Sequence, residues 1–213
     1  MRRFVALFIV LALISVAAEA QKKQQKPQSA NFFQEGVQHF NNNEFDQAIP
    51  AFQKAVKQDP QKPETYYYLG MCFLKKNNNA GAVTQFTKAL SLKKDYLQAA
   101  LGRGTAYVAQ KNFGAASTDL NQVLAVQPDN IDAHYQVAIA DYYQQNFADA
   151  IPHFEKAQGA YSSDPYLHYR LGISYCKQKN VEGCVDQLNQ FVTACPSCPE
   201  VPQAQQLINS VKG

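Results

Sequence analysis

From Ser29 to Glu200 the chain runs as short amphipathic stretches separated by polar turns. Within each stretch apolar residues recur at three- and four-residue spacing, the pattern of a helix that buries one face. Polar clusters such as Asn41-Asn42-Asn43 and Lys111-Asn112 break the stretches. This pattern predicts helices in pairs. First helices fall near 30–41, 64–76, 98–110, 132–144 and 166–178, and second helices near 45–57, 79–92, 113–126, 147–160 and 181–194. No stretch has the period of a strand, so the expected class is all-α.

The pairs repeat with a period of 34 residues. One series reads Ala48, Ala82, Ala116, Ala150, Cys184, and a second Phe52, Phe86, Leu120, Phe154, Leu188. A third reads Ala55, Ala89, Val123, Ala157, Phe191, and a fourth Pro60, Lys94, Pro128, Ser162, Pro196. Upstream in each unit stand Gly36, Gly70, Gly104, Ala138 and Gly172. The small residues let two helix backbones approach, the aromatic or Leu fills the space beside them, and Pro cannot continue a helix and so sets the turn into the next unit. Five units without insertion occupy 29–62, 63–96, 97–130, 131–164 and 165–198.

These residues resemble the tetratricopeptide repeat family. The best single copy is Tyr66, Leu69, Gly70, Phe73, Ala82, Phe86, Ala89, and the fifth reads His168, Leu171, Gly172, Tyr175, Cys184, Leu188, Pro196. The resemblance implies a right-handed α-solenoid of five helix-turn-helix repeats whose first helices line a concave, partner-binding groove. Carried onto this chain, the groove candidates are Phe33 and Phe40 in the first repeat, Tyr67, Tyr68 and Met71 in the second, Tyr135, Tyr142 and Tyr143 in the fourth, and Tyr166, Tyr169 and Arg170 in the fifth. Leu74, Leu101 and Thr105 map to the same face. Tyrosine combines a large contact area, a polar handle and little entropy to lose, which suits peptide recognition; ordinary helix packing is the competing use. Relatives that grip acidic chaperone tails use Lys and Asn where this chain has Phe33, Val37, Tyr67 and Met71, so that clamp is absent.

A solenoid must cover its last apolar face. Val201, Ala204, Leu207, Ile208 and Val211 form a helical stripe within 199–213, opposed by Gln203, Gln205, Gln206 and Asn209. The expected role is a capping helix, with a partner-binding tail helix as the alternative.

Ahead of the repeats, Met1-Arg2-Arg3 precedes an apolar run from Phe4 to Ala18, and Ala18-Glu19-Ala20 offers small residues where a signal peptidase reads. This predicts a signal peptide over 1–20 and a polar, flexible tail over 21–28. The apolar run is shorter than the roughly 20 residues a spanning helix needs; an uncleaved anchor is the alternative. The expected location is periplasmic or secreted.

Composition narrows the function classes. The net charge is only +3, too small for nucleic acid to be the main partner. Motifs for zinc proteases, serine hydrolases and phosphate loops are missing, and Gly102-Arg103-Gly104 follows no strand, so it is no dinucleotide site. No enzyme, cofactor or metal site is expected. The four His include His134 and His168, one period apart at a core-type position, and packing is their expected role. Among five Cys, Cys176 and Cys184 fall at one end of the fifth repeat and Cys195 and Cys198 at the other, too far apart to share one zinc. Disulfides or structural thiols are expected there, and Cys72 should be a buried small hydrophobe. The reading is a non-catalytic protein- or peptide-binding scaffold of the cell envelope, with partner and oligomeric state unspecified. A thiol-redox protein using Cys195 and Cys198, or a self-associating module, are the alternatives.

Overall fold

A computed structural model describes residues 28–212. The expected signal peptide, and the expected tail up to Pro27, lie outside the described residues. The five helical hairpins are α1 (Gln28–Asn41) with α2 (Phe45–Gln58), α3 (Pro63–Lys75) with α4 (Asn79–Leu92), α5 (Leu97–Ala109) with α6 (Phe113–Val126), α7 (Ile131–Tyr143) with α8 (Phe147–Gln158), and α9 (Pro165–Lys177) with α10 (Val181–Ala194). A single helix, α11 (Val201–Lys212), comes last. Each hairpin packs on the next, giving an α-solenoid, and consecutive first helices also touch one another.

The repeat period becomes packing. Ala48, Ala82, Ala116, Ala150 and Cys184 are fully buried, as are Phe52, Phe86, Leu120, Phe154 and Leu188. A Cβ at Gly36 would meet Phe52 at 2.6 Å, at Gly70 Phe86 at 2.7 Å, at Gly104 Leu120 at 2.8 Å, and at Gly172 Leu188 at 2.9 Å. The glycine is therefore a steric requirement of the partner ring or Leu rather than a source of flexibility. Gly102 makes room in a related way. A Cβ there would meet Phe86 at 2.5 Å, so Phe86 sits between glycines of two successive repeats.

The turn inside every hairpin has the same form. Asn43, Asn77, Lys111, Gln145 and Lys179 take positive φ of 57–64°, one per repeat at the 34-residue period. The left-handed residue ends the first helix and reverses the chain. Asn78, Asn112 and Asn180 then cap the second helices by accepting from the backbone N–H of Gly81, Ala115 and Gly183.

A second recurrent device ties three of the first helices, α3, α7 and α9, to the loop before each. Tyr66 Oη donates to Pro60 O at 3.1 Å, His134 Nε2 to Pro128 O at 2.8 Å, and His168 Nε2 faces Ser162 O at 3.3 Å. These residues share one register, so the core role expected for His134 and His168 is what they perform; both are buried.

At the carboxyl end α11 places Ala204 and Ile208 against Leu188, Phe191 and Cys184. Cys176 pairs with Cys184 across the last hairpin turn, with Cα atoms 4.8 Å apart. Cys195 pairs with Cys198 between α10 and α11, at 5.4 Å. Cys72 is fully buried, and that burial pushes its thiol up to about 12. Among the described residues no helix is long and apolar enough to cross a membrane.

Candidate functional site

The first helices α3, α5 and α7 enclose a groove of about 410 Å³ on one face of the solenoid. Its near wall is Tyr67, Met71 and Leu74 of α3, and its floor is Leu101, Gly102 and Thr105 of α5. Gln98, Asp132, Gln136 and Tyr161 complete the lining. The spacings 67–71–74 and 98–101–105 follow helical geometry, which brings these side chains to one face.

Tyr68, Gln136 and Arg170 occupy the register of Gly102 in other repeats. Tyr68 stacks on Phe52 with ring centroids 5.4 Å apart. At Gly102 the Phe86 ring lies 2.5 Å from where a Cβ would be, so it fills the space a side chain would take. The groove lies beside this contact, between the side chains of α3, α5 and α7.

The aromatics around the groove are held in place. Tyr67 packs on Tyr96 at 5.3 Å and on Phe86 at 6.1 Å. Across the groove Tyr161 stacks on Tyr135 at 4.1 Å and donates its hydroxyl to Asp132 Oδ1 at 2.6 Å. Burial raises the Tyr161 phenol, and the carboxylate of Asp132 raises it further.

The groove candidates separate into four groups. Tyr67 and Met71 line the pocket, together with Leu74, Leu101 and Thr105. Phe33, Phe40 and Tyr68 form an edge-to-face aromatic cluster at the amino-terminal end, with centroids 5.7 Å (Phe33–Tyr68) and 5.4 Å (Phe40–Tyr68) apart. Tyr166 and Tyr169 hold the cap: their hydroxyls donate to Glu200 Oε2 and Gln203 Oε1, both at 3.1 Å, and their rings lie on Phe191. The Arg170 guanidinium donates to Tyr135 Oη at 3.4 Å and lies 5.5 Å from the Tyr166 ring.

The remaining candidates require correction. Tyr135 is not an open anchor. It is only 6% exposed, covered by Tyr161, and donates its hydroxyl to Asp164. Tyr142 and Tyr143 do not share a face, because neighbours on a helix point about 100° apart. Tyr142 is half-buried against Phe147, and burial pushes its phenol up to about 12. Tyr143 is 51% exposed and stacks on Phe113 of the preceding hairpin, away from the pocket lining.

Asp132, Gln98, Gln136 and Tyr161 were not among the expected groove residues. Gln98 was legible as one helical turn before Leu101, and Asp132 stands at its register one repeat later. Tyr161 lies beyond the end of α8, where the repeat pattern says nothing about side-chain direction.

The four cysteines of the fifth repeat are paired as disulfides. Cys195 is the C-cap of α10, its N–H donating to Phe191 O. A thiolate there would face the negative end of the helix, opposite to the arrangement that lowers a thiol pKa.

A stack of helical hairpins with an open inner groove is the architecture of a repeat scaffold. The tetratricopeptide repeat model matches residues 33–96 and 135–197, and the chain belongs to that family. The fold is similar to solved structures of several other proteins. MamA is 20% identical, with 80% of this chain and 93% of that one covered and a TM-score of 0.67. YrrB, described as a TPR protein with an unusual peptide-binding site, is 18% identical over 88% and 97%, with a TM-score of 0.70. TTC0263, a thermophilic TPR protein of Thermus thermophilus, is 20% identical over 86% and 98%, with a TM-score of 0.57. No curated protein shows significant similarity to the sequence.

Proposed function

We propose that this protein is a non-catalytic scaffold that binds a protein or peptide segment in the groove between α3, α5 and α7, and that it works outside the cytoplasm. The groove between α3, α5 and α7 carries the reading: apolar side chains line it, polar groups stand at its edge, and surrounding packing holds its walls. YrrB, of similar fold, is described as having a peptide-binding site, which agrees with this use. The paired cysteines and the signal-like start of the chain support an oxidising compartment, periplasmic or extracellular. In that setting both pairs act as staples of the last repeat, a use that favours the scaffold over the redox alternative.

Two measurements test the two halves of the proposal. Affinity capture from source cells should retain a partner on the wild-type chain and lose it on Leu101→Arg, which fills the groove. The variant's melting temperature serves as the control for folding. A partner held equally by both chains would place binding elsewhere. For location, mass spectrometry of the native protein should find Gln21 as the first residue; an intact Met1 on exported protein would contradict processing.

A further inference from the structure

The groove is charged on one side only. Of its lining residues Asp132 is the only one that is charged at neutral pH. Glu64 stands at the same register as Gln98 and Asp132, one repeat before Gln98, and a second carboxylate, Asp164, receives the Tyr135 hydroxyl behind Tyr161. The cation beside this group, Arg170, is already engaged with Tyr135 and the Tyr166 ring.

The two sides therefore offer different chemistry. Over α3 and α5 the side chains of Tyr67, Met71, Leu74 and Leu101 give an apolar seat for an aliphatic side chain. At α7 the Tyr161 ring and the Asp132 carboxylate, joined by a 2.6 Å hydrogen bond, stand together at the rim. An aromatic ring beside a carboxylate favours an ammonium or guanidinium group, through the ring quadrupole and the charge. Packed helices lie about 8–10 Å apart. An extended chain advances about 3.3–3.6 Å per residue, so the two seats lie about two to three residues apart on one peptide.

Resting on the groove reading above, we propose that the ligand is an extended peptide in which an aliphatic residue is followed or preceded, two to three positions away, by Lys or Arg. The aliphatic side chain packs on Met71, Leu74 and Leu101, and the cation lies against Tyr161 and Asp132. An acidic peptide is excluded by repulsion from Asp132. The interaction weakens as salt is added, because the charged seat is exposed to solvent.

The test is an array of decapeptides in a Ser-Gly background. Each carries one Leu, Ile or Met and one Lys, Arg, Asp or Glu at offsets of one to six, and the array is probed with the purified chain. Basic peptides with offsets of two and three should be retained. Asp132→Lys should weaken them by about tenfold and retain the matching acidic peptides instead. Asp132→Asn should weaken the basic peptides without gaining the acidic ones. Melting temperatures of both variants check that the fold is kept. If Leu101→Arg abolishes retention but wild type holds basic and acidic peptides equally, the charge assignment falls and the groove reading stands. If wild type retains no peptide, both fall.

Discussion

Tyr67, Leu101, Tyr135 and Tyr169 occupy one register position in four successive repeats, yet they have three different environments. Tyr67 and Leu101 line the open groove. Tyr135 is buried beneath Tyr161 and hydrogen-bonded to Asp164. Tyr169 is bound to the capping helix through Gln203 and Phe191. Each sits on the same kind of helix; the segments that come after that helix differ. A ring from the loop after α8 covers Tyr135, and α11 covers Tyr169. In the middle of the solenoid Tyr67 leans on Tyr96 and Phe86 but, like Leu101, keeps a face on the groove. Register settles which direction a side chain takes, while its neighbours in the next repeat settle whether a ligand can reach it.

The largest expected effect tests this contrast directly. Tyr135→Ala should destabilise the chain by about 3–5 kcal/mol, because it empties a buried site. Tyr67→Ala and Leu101→Ala should cost only about 1 kcal/mol each while weakening peptide retention. Chemical denaturation of the three variants measures this; equal losses would mean that the groove residues are core.

The capped end should behave as a separate unit of stability. Losing the Cys176–Cys184 bond, by Cys176→Ser, should cost about 2–3 kcal/mol through the freedom regained by the unfolded chain. Peptide retention in the groove should be unchanged. Parallel melting and binding assays check both, and a loss of binding would couple cap and groove.

A smaller contrast lies between the fourth and fifth repeats. His134 Nδ1 meets His153 Nδ1 at 2.6 Å, whereas at the same register His168 meets Gln187 Oε1 at 2.9 Å. Burial, then His134 and Lys156, lower the His153 pKa from its ordinary 6.5, opposed only by Asp149. A lowered folded pKa means that the unfolded chain takes up the proton first. The contribution of this pair is therefore full above pH 6.5 and is lost as pH falls below it. Melting temperature should decline in that range for wild type and less for His153→Gln, which copies the fifth repeat. Parallel curves would remove His153 as the cause.

The smallest effect concerns the turns. Asn tolerates the left-handed conformation better than other non-glycine residues, and Asn43 and Asn77 use it, whereas Lys111, Gln145 and Lys179 have no such advantage. Gln145→Gly should stabilise by about 0.5–1 kcal/mol and Asn43→Gly by less. Thermal melts of the two variants compare them.

Much of the solenoid was legible in the residue pattern. The 34-residue series of Gly36, Ala48 and Phe52 states a local steric relation, and it recurs in four of the five hairpins, with Ala138 in the glycine's place in the fourth, so helix positions and core residues could be read from one repeat and carried to the next. The stripe from Val201 to Val211 was legible as a cap for the same reason: an amphipathic helix at the end of a stack has one place to bury its face. The groove depended on contacts between repeats. Gly102 reads as another small residue, and only the packed structure puts the Phe86 ring in the space its side chain would take. Tyr161 lies outside the periodic helices, so only the packed structure brings its ring onto Tyr135 and its hydroxyl to Asp132. Periodicity records what each repeat does alike; the pocket arises where repeats differ, and the consequence of a difference is set by which side chains the neighbouring repeats bring to it.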